Sequence, residues 1–186
     1  MADLVYGINL SVDGYAADAE GRFDWSVPSD ELHEVFNDLI GATGTHLYGR
    51  RMYEAMSYWE APPDGSSSVE LEFGRLWRDS DKVVYSTSLA VASTARTRIE
   101  RAFDAEAVRA MKAEASRDLL IGGPTLAAAA IRAGLVDEYL LVVAPVVVGG
   151  GLRALPDDVR LDLALIEERR FPDGVVLLRY RNRTTG

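Results

Sequence analysis

The stretch Ile121-Gly-Gly-Pro-Thr-Leu-Ala-Ala-Ala-Ala-Ile-Arg-Ala-Gly134 decides the fold of this chain. A buried strand predicted over residues 118–121 ends in two glycines, and a helix predicted over residues 126–133 follows at once. Free backbone N–H groups and the positive end of the helix dipole then lie beside the carboxyl edge of a sheet, where they can bind a phosphate. The alternative interpretation is a tight turn whose glycines only let the helix pack closely on the sheet.

Segments with strand and helix patterns alternate along the rest of the chain. Strands are predicted at residues 4–10, 45–48, 82–85, 97–102 and 139–148, and the helices between them begin after Ser29, Gly49 and Asp104. A turn tripeptide, Pro172-Asp-Gly, joins residues 161–171 to residues 175–181 and predicts an antiparallel hairpin. The expected fold class is α/β: a single domain over residues 1–186 with a mostly parallel twisted sheet flanked by helices and an antiparallel C-terminal hairpin.

The composition excludes several classes of function. The chain has no cysteine and only two histidines, His33 and His46, which excludes disulfides, thiolate zinc sites and cysteine nucleophiles and disfavours a His-rich metal centre. Its net charge of −9 repels nucleic acid and anionic membranes, so neither is expected as a partner, and an anionic cofactor must be captured locally. The N-terminal residues lack a signal-peptide pattern, and no segment approaches the ~20 apolar residues of a membrane span, so we predict a cytoplasmic protein.

Three predicted strand ends carry groups that bind phosphate. Besides the glycine turn, they are Gly49-Arg50-Arg51 and Ser86-Thr87-Ser88. Ligands of open α/β sheets lie at the carboxyl ends of the strands, so these three corners predict a site for a nucleotide diphosphate. A guanidinium that forks onto a ribose 2′-phosphate would favour NADPH over NADH. The alternative for Arg50 and Arg51 is a solvated pair at a helix start.

With these motifs the chain resembles the dihydrofolate reductase fold family, in the branch that contains the reductase domain of bifunctional riboflavin-biosynthesis deaminase-reductases. The motifs that carry the resemblance are Ser11-Val-Asp-Gly-Tyr-Ala-Ala, Gly49-Arg-Arg-Met-Tyr-Glu, Tyr85-Ser-Thr-Ser, the stretch from Ile121 through Gly134-Leu-Val-Asp-Glu, and Ala144-Pro to Gly149-Gly-Gly. They cover nearly the whole chain in the same order. The resemblance implies the three-layer fold of that family, NADPH as cofactor, hydride transfer and a homodimer.

The resemblance also implies roles for individual residues. Ala16 and Ala17 match the loop that lies over the nicotinamide, and Ser86 and Thr87 match the pair near the adenosine phosphate. The segments along the cofactor phosphates and at the pyrophosphate turn are matched by Gly49, Arg50, Arg51, Met52, Gly122, Gly123, Pro124, Thr125 and Leu126. The Trp, Pro and acid that form the substrate end of the folate enzymes are matched by Trp25, Pro28 and Asp30.

Asp30 is the predicted catalytic residue, and Asp13 and Trp25 are predicted to bind substrate. A carboxylate in an apolar pocket can pair with ring N–H groups, and its pKa shifts toward neutrality. Each residue also has a structural alternative. Asp30 follows the predicted N-cap Ser29 and could serve only the helix start, and Asp13 precedes Gly14 and could serve only a turn. Trp25 could pack its loop onto the core.

We therefore predict an NADPH-dependent reductase for a small heteroaromatic substrate, pteridine-like or pyrimidine-like. The zinc ligands of a deaminase domain are absent, so no deaminase activity is expected. The alternatives are a non-catalytic or regulatory nucleotide-binding dimer on the same fold, and a reductase that uses a flavin or deazaflavin. A homodimer is expected because residues 142–148 offer more apolar surface than the sheet edge and the helix at residues 126–133 can cover.

Overall fold

The computed structural model describes residues 1–183. Its strands are β1 (Leu4–Ser11), β2 (Tyr15–Ala17), β3 (Thr43–Gly49), β4 (Asp81–Tyr85), β5 (Thr97–Glu100), β6 (Asp118–Gly122), β7 (Glu138–Ala144), β8 (Leu152–Arg153), β9 (Leu163–Arg170) and β10 (Val176–Asn182). Its helices are α1 (Asp30–Ala42), α2 (Arg50–Met56), α3 (Ser68–Asp79), α4 (Ala105–Glu114) and α5 (Pro124–Arg132), with short 3-10 helices at Asp24–Ser26 and Ser57–Glu60. Within the described residues, no helix has the length and apolar character needed to span a membrane.

Eight of the strands form one sheet in the order β5-β4-β3-β6-β1-β7-β10-β9. All pairs from β5 to β7 are parallel, and β10 runs antiparallel to both β7 and β9. The other two strands, β2 and β8, form a separate antiparallel ribbon. This topology confirms the predicted α/β class, the mostly parallel sheet with flanking helices and the antiparallel C-terminal hairpin.

The two faces of the sheet bury different apolar clusters. Leu4 and Tyr6 of β1 belong to a cluster with Leu126 of α5, whereas Val5 belongs to a cluster with Trp77 of α3. Successive side chains of a strand point to opposite faces, so β1 contributes alternately to the two layers of helices. Burial on both faces explains why the central strands are almost wholly apolar.

The prediction of one strand over residues 139–148 is wrong beyond Ala144. β7 ends there, and the next residue is Pro145, which has no N–H for a strand ladder. β7 also lies between β1 and β10, so Val142 is only 2% exposed. Over residues 142–144, the apolar surface on which we based the expected homodimer is therefore largely covered within the chain, although Val147 is exposed.

The loop predicted between β1 and α1 contains a strand that the sequence pattern did not reveal. β2 pairs with β8, with Tyr15 opposite Arg153 and Ala17 opposite Leu152. The Arg153 guanidinium also lies over the Tyr15 ring, 4.7 Å from its centroid. The ribbon joins the loop after β1 to the residues that follow the glycine run at 149–151.

An ion-pair network surrounds Glu138 at the amino end of β7. Glu138 is 4% exposed and accepts a hydrogen bond from Arg179 Nε at 2.8 Å. Arg181 also pairs with Glu138 and reaches Asp3 at 2.9 Å. Burial alone would raise the pKa of Glu138, but hydrogen bonds from Arg181 and Arg179 outweigh it and hold the pKa below its usual value. The network therefore favours the ionised carboxylate and ties the C-terminal strand to β7.

Glu138→Gln is expected to lower the free energy of unfolding by about 2 kcal/mol at neutral pH. This is less than the loss of a fully buried ion pair costs, because both guanidiniums are partly exposed. The pKa of Glu138 is lower in the folded protein than in the unfolded chain, where it is near 4.5. The ionised carboxylate therefore stabilises the fold fully above pH 4.5, and this stabilisation is lost as the pH falls through the lower, folded-state pKa. Urea unfolding of both proteins at pH 7 and pH 3 measures this change. Glu167→Gln is the control, since the exposed Glu167 lies 4.0 Å from the same Arg179. If Glu138→Gln lowered the free energy of unfolding equally at pH 7 and pH 3, the ionised Glu138 carboxylate would not be the source of the stabilisation.

Candidate functional site

The carboxyl ends of β4, β3, β6 and β1 lie side by side in the sheet and bring most of the predicted site residues to one edge. Ser86 follows β4, Arg50 follows β3 and Gly122 ends β6. Tyr48 is opposite Gly122 in the register, so the ends of β3 and β6 are level. Three strand spacings of about 4.8 Å separate β4 from β1 by roughly 14 Å. An elongated ligand can follow this edge.

In the turn between β6 and α5, the structure requires a glycine at both positions, for different reasons. Gly123 has a φ of +88°, which L side chains rarely adopt, and a Cβ there would lie 3.2 Å from Met52 Cβ. A Cβ on Gly122 would lie 2.9 Å from the Tyr48 ring. A positive φ thus accounts for the glycine at position 123, whereas close packing against Tyr48 accounts for Gly122.

The first turn of α5 faces the same edge and has no side-chain cap. Its N-cap is Gly123, and Pro124 at the first helical position has no N–H to satisfy. Thr125 and Leu126 follow, and their N–H groups belong to the set that a helix leaves without an internal partner. Leu126 buries its side chain in the core, so only its backbone can serve a ligand. These donors and the helix dipole suit an anion.

A cavity of about 350 Å³ opens beyond β4 and β5, at the end of this edge that is farthest from β1. It is lined by Arg50, Tyr85, Ser86, Thr87, Ser88, Arg101, Ala102 and Phe103. The two guanidiniums and the hydroxyl groups of Ser86, Thr87 and Ser88 around one cavity form a set of donors that suits a phosphate group.

Hydrogen bonds hold both guanidiniums at the cavity. Arg50 donates from Nη1 to Ser88 Oγ at 2.9 Å and from Nε to Glu54 at 2.8 Å. Arg101 donates from Nη1 to the carbonyl oxygens of Ser86 at 3.0 Å and Leu89 at 2.7 Å. We did not predict Arg101 from the sequence. The strand predicted over residues 97–102 ends at Glu100, so Arg101 follows β5 as Ser86 follows β4. Only the observed end of that strand reveals its position.

The other residues predicted at this end occupy different environments. Arg51 is exposed and does not line the cavity, so Arg101, rather than Arg51, is the second arginine there. Thr87 is exposed at the cavity wall. Ser86 is buried, and its hydroxyl accepts a hydrogen bond from Leu89 N at 2.9 Å, so it holds the turn that presents Thr87.

Asp13 holds two loops together near the end of β1. Its carboxylate accepts hydrogen bonds from the backbone N–H groups of Gly149 at 2.7 Å and Val148 at 3.2 Å. A hydrogen bond from the Ser11 hydroxyl, followed by those from Gly149 and Val148, lowers the pKa of Asp13 below its usual value. The carboxylate is therefore ionised and engaged by the protein itself.

Trp25 and Asp30 flank the short segment that leads into α1: Trp25 lies in the 3-10 helix before it, and Asp30 is the first residue of the helix. Asp30 is exposed at the first position of the helix, behind the N-cap Ser29, whose side chain accepts from Leu32 N. The apolar pocket that we expected around its carboxylate is thus not found within the described residues. Trp25 lies in the short 3-10 helix, and its side chain is half-buried. Its Nε1 atom is buried and has no hydrogen-bond partner among the described residues.

Ala16 and Ala17 belong to β2 and face the glycine run after β7. Ala17 is 7% exposed, so this segment offers mainly backbone to a ligand. Gly151 packs directly against it: a Cβ on Gly151 would lie 2.1 Å from the carbonyl oxygen of Ala17. The glycine run therefore sets the position of the segment that we predicted to lie over the nicotinamide.

The open, mostly parallel sheet, the glycine turn before α5 and the arginine-lined cavity at the carboxyl edge define an α/β domain of the dihydrofolate reductase-like class. Within this class, the chain belongs to the RibD C-terminal domain family, whose model matches residues 3–177. The family resemblance expected from the sequence is confirmed.

The chain is similar in sequence or in fold to several individual proteins. The uncharacterized protein YyaP of Bacillus subtilis is 28% identical over 95% of this chain and 93% of its own length. The riboflavin biosynthesis protein RibD of Mycobacterium tuberculosis is 29% identical over 79% of this chain but 43% of its own length, so the chain spans less than half of that relative. A pyrimidine reductase-like protein from Corynebacterium diphtheriae has the same fold, with a TM-score of 0.71 at 16% identity over 98% of this chain and 92% of that one.

Proposed function

We propose that this protein is an NADPH-dependent reductase that transfers a hydride to a small heteroaromatic substrate, pteridine-like or pyrimidine-like. The observation that carries the proposal is the cavity beyond β4 and β5, which Arg50 and Arg101 line together with serine and threonine hydroxyl groups. Such a set of donors matches the 2′-phosphate that distinguishes NADPH from NADH. Because the net charge of the chain is −9, a local cluster of this kind is what an anionic cofactor requires.

The remaining elements of the edge fit the rest of the cofactor. The uncapped N–H groups of α5 lie between the cavity and β1 and suit the pyrophosphate. The nicotinamide end is then assigned to the edge at β1 and the ribbon that contains Ala16 and Ala17. When bound, NADPH supplies the hydride, and the protein binds and orients the cofactor and excludes water.

The proposed substrate class rests on the loop between β1 and α1 and on the relatives. The M. tuberculosis relative is named for riboflavin biosynthesis, and the C. diphtheriae structure is described as pyrimidine reductase-like, which supports a pyrimidine-like ring. Trp25 supplies a flat apolar surface for such a ring. We keep Asp30 as the group that orients or protonates the ring, which requires the bound substrate to cover its exposed carboxylate. Asp13 is assigned to holding the loops.

Oxidation of NADPH by the purified protein tests the proposal. The substrates to compare are dihydrofolate, a ribosylaminopyrimidinone, and small quinone and nitro compounds. We expect turnover with at least one of the ring substrates and none with NADPH alone. A protein that binds NADPH but oxidises it with none of them would support the regulatory nucleotide-binding alternative. A purified protein that is yellow would support a flavin or deazaflavin instead.

We also propose a homodimer. β9 is the terminal strand of the sheet at the C-terminal side, and its apolar side chains Leu165 and Ile166 are 48% and 50% exposed. Strand edges with exposed apolar side chains favour association, and two-fold dimers are the commonest solution. Light scattering at micromolar concentration is expected to give a mass near twice 20.3 kDa, and Leu165→Glu is expected to shift it toward the monomer. A monomeric unmodified protein would contradict this proposal.

A further inference from the structure

The loop between β4 and β5, residues 86–96, supplies acceptors that hold both guanidiniums at the arginine-lined cavity. Its Ser88 Oγ accepts from Arg50 Nη1 at 2.9 Å, and its Leu89 carbonyl oxygen accepts from Arg101 Nη1 at 2.7 Å. The structure describes every residue of this loop and places none of them in a helix or strand. The conformation of the loop therefore depends on the side chains that hold it to the rest of the domain.

Tyr53 of α2 anchors the far end of this loop. The residue is 1% exposed, and its hydroxyl oxygen accepts hydrogen bonds from the backbone N–H groups of Ser93 at 2.9 Å and Thr94 at 3.1 Å. Leu89 and Ala92 of the same loop pack against the apolar cluster that contains Tyr53. Tyr53 thus takes part in both the hydrogen bonds and the apolar contacts that seat the loop on α2.

The hydrogen of the Tyr53 hydroxyl also has a defined acceptor in the loop. A tyrosine hydroxyl has one hydrogen and two lone pairs, and the two backbone N–H groups occupy both lone pairs. Thr97 Oγ1 donates to the carbonyl oxygen of Ala95, so Thr94 Oγ1 must be the donor in its 2.8 Å contact with Thr97 Oγ1. Thr94 has then used its only hydrogen, and Tyr53 is the donor in their 3.0 Å contact. Every hydrogen-bonding position of the Tyr53 hydroxyl is therefore directed at this loop.

Tyr53 and Arg50 lie three residues apart in α2, so they are neighbours on the surface of one helix. The helix that carries the guanidinium thus also carries the anchor of the loop that orients it. Without the anchor, the loop is free to shift relative to α2, and the acceptors at Ser88 and Leu89 shift with it.

We propose that Tyr53 is a positioning residue for the 2′-phosphate of NADPH. This inference rests on the proposed function. The hydroxyl of Tyr53 holds the loop at residues 86–96 on α2, and the loop in turn keeps Arg50 and Arg101 directed at the cavity. Tyr53 is outside the cavity lining, so it acts on the phosphate through these two arginines.

Adenosine 2′,5′-bisphosphate and adenosine 5′-monophosphate test this role, because they differ only in the 2′-phosphate. Calorimetric titration measures the affinity of each. The unmodified protein is expected to bind the bisphosphate at least about tenfold more tightly than the monophosphate. Tyr53→Phe removes only the hydroxyl and is expected to reduce this preference about fivefold, through weaker binding of the bisphosphate. The affinity for the monophosphate should change less than about twofold.

A double-mutant comparison with NADPH as the ligand separates positioning from a general weakening of the protein. In the variant with both Arg50→Ala and Arg101→Ala, the loop has no guanidinium left to orient. Adding Tyr53→Phe to that variant is therefore expected to change the affinity for NADPH less than about twofold, whereas the same change in the unmodified protein weakens NADPH about fivefold. A purely structural role of Tyr53 would weaken NADPH in both backgrounds.

Tyr58→Phe is the matched control, because it removes the same hydroxyl from an exposed tyrosine in the 3-10 helix that follows α2. Both nucleotide affinities should stay unchanged. Thr94→Val tests the Tyr53 hydrogen bond from the loop side, since it replaces the acceptor hydroxyl by a methyl group of similar size. It should lower the preference for the bisphosphate in the same direction, and it decides the question where Tyr53→Phe fails to fold.

Three outcomes would overturn this role of Tyr53. They are a preference for the bisphosphate that survives both Tyr53→Phe and Thr94→Val, an equal loss of affinity for both nucleotides in Tyr53→Phe, and an undiminished effect of Tyr53→Phe on NADPH in the background without the two arginines. An unmodified protein that binds neither nucleotide, or both equally, removes the 2′-phosphate site of the proposed function and this inference with it. A preference in the unmodified protein that the Tyr53 and Thr94 variants leave intact removes only this inference.

Discussion

Replacing Arg50 and Arg101 together with alanine is expected to weaken NADPH binding about a hundredfold and to change NADH binding less than about threefold. Both guanidiniums line the cavity beyond β4 and β5, and hydrogen bonds to charged groups are the strongest that the protein can offer a phosphate. NADH has no 2′-phosphate, so it should lose little. Calorimetric titration of each cofactor into each variant measures the difference.

Arg51→Ala is the matched control for this experiment. Arg51 has the same charge and adjoins Arg50 in α2, but it is exposed and outside the cavity lining. Both cofactor affinities should stay close to those of the unmodified protein. Equal losses for NADPH and NADH in the double variant would mean that the 2′-phosphate lies elsewhere. A loss in Arg51→Ala that matched the loss in Arg101→Ala would favour the Arg50 and Arg51 pair predicted from the sequence.

Gly151→Ala is expected to destabilise the protein by about 3 kcal/mol or more. The residue has a φ of +131°, and an added Cβ would lie 2.1 Å from the carbonyl oxygen of Ala17. The clash is with backbone, so β2 must move away from β8 to relieve it. Because β2 contains Ala16 and Ala17, we also expect a large loss of NADPH-dependent turnover. Urea unfolding and the turnover assay measure the two effects.

Gly150→Ala is the control for this change, because no atom of residues 1–183, apart from its chain neighbours, lies within 4 Å of the added Cβ, and the backbone needs no unusual φ. Its effect on the free energy of unfolding should stay within about 0.5 kcal/mol. If Gly150→Ala and Gly151→Ala had equal effects, the contact between Gly151 and β2 would not be what positions this segment.

Strong local patterns made most of the fold predictable. The apolar run at β7, the glycine turn after β6 and the Pro172-Asp-Gly turn are each encoded by adjacent residues, so the mostly parallel sheet and the C-terminal hairpin followed from the sequence. The end of β7 could also have been predicted, since Pro145 has no N–H group to hydrogen-bond to a neighbouring strand. We extended the strand to residue 148 because the apolar pattern outweighed that signal.

The parts that were missed depend on residues far apart in the chain. β2 has three residues and pairs with a two-residue β8 more than a hundred positions away, so neither has a pattern of its own. Arg101 joins Arg50 only because β5 and β4 are parallel neighbours.

The central claim is that the carboxyl edge of this sheet binds NADPH through the arginine-lined cavity. Calorimetric titration of NADPH and NADH into the unmodified protein tests it most directly. We predict that NADPH binds at least about tenfold more tightly than NADH, because only NADPH has a 2′-phosphate that Arg50 and Arg101 would bind in the proposed complex. No binding of NADPH at millimolar concentration, or equal affinities for the two cofactors, would contradict the claim.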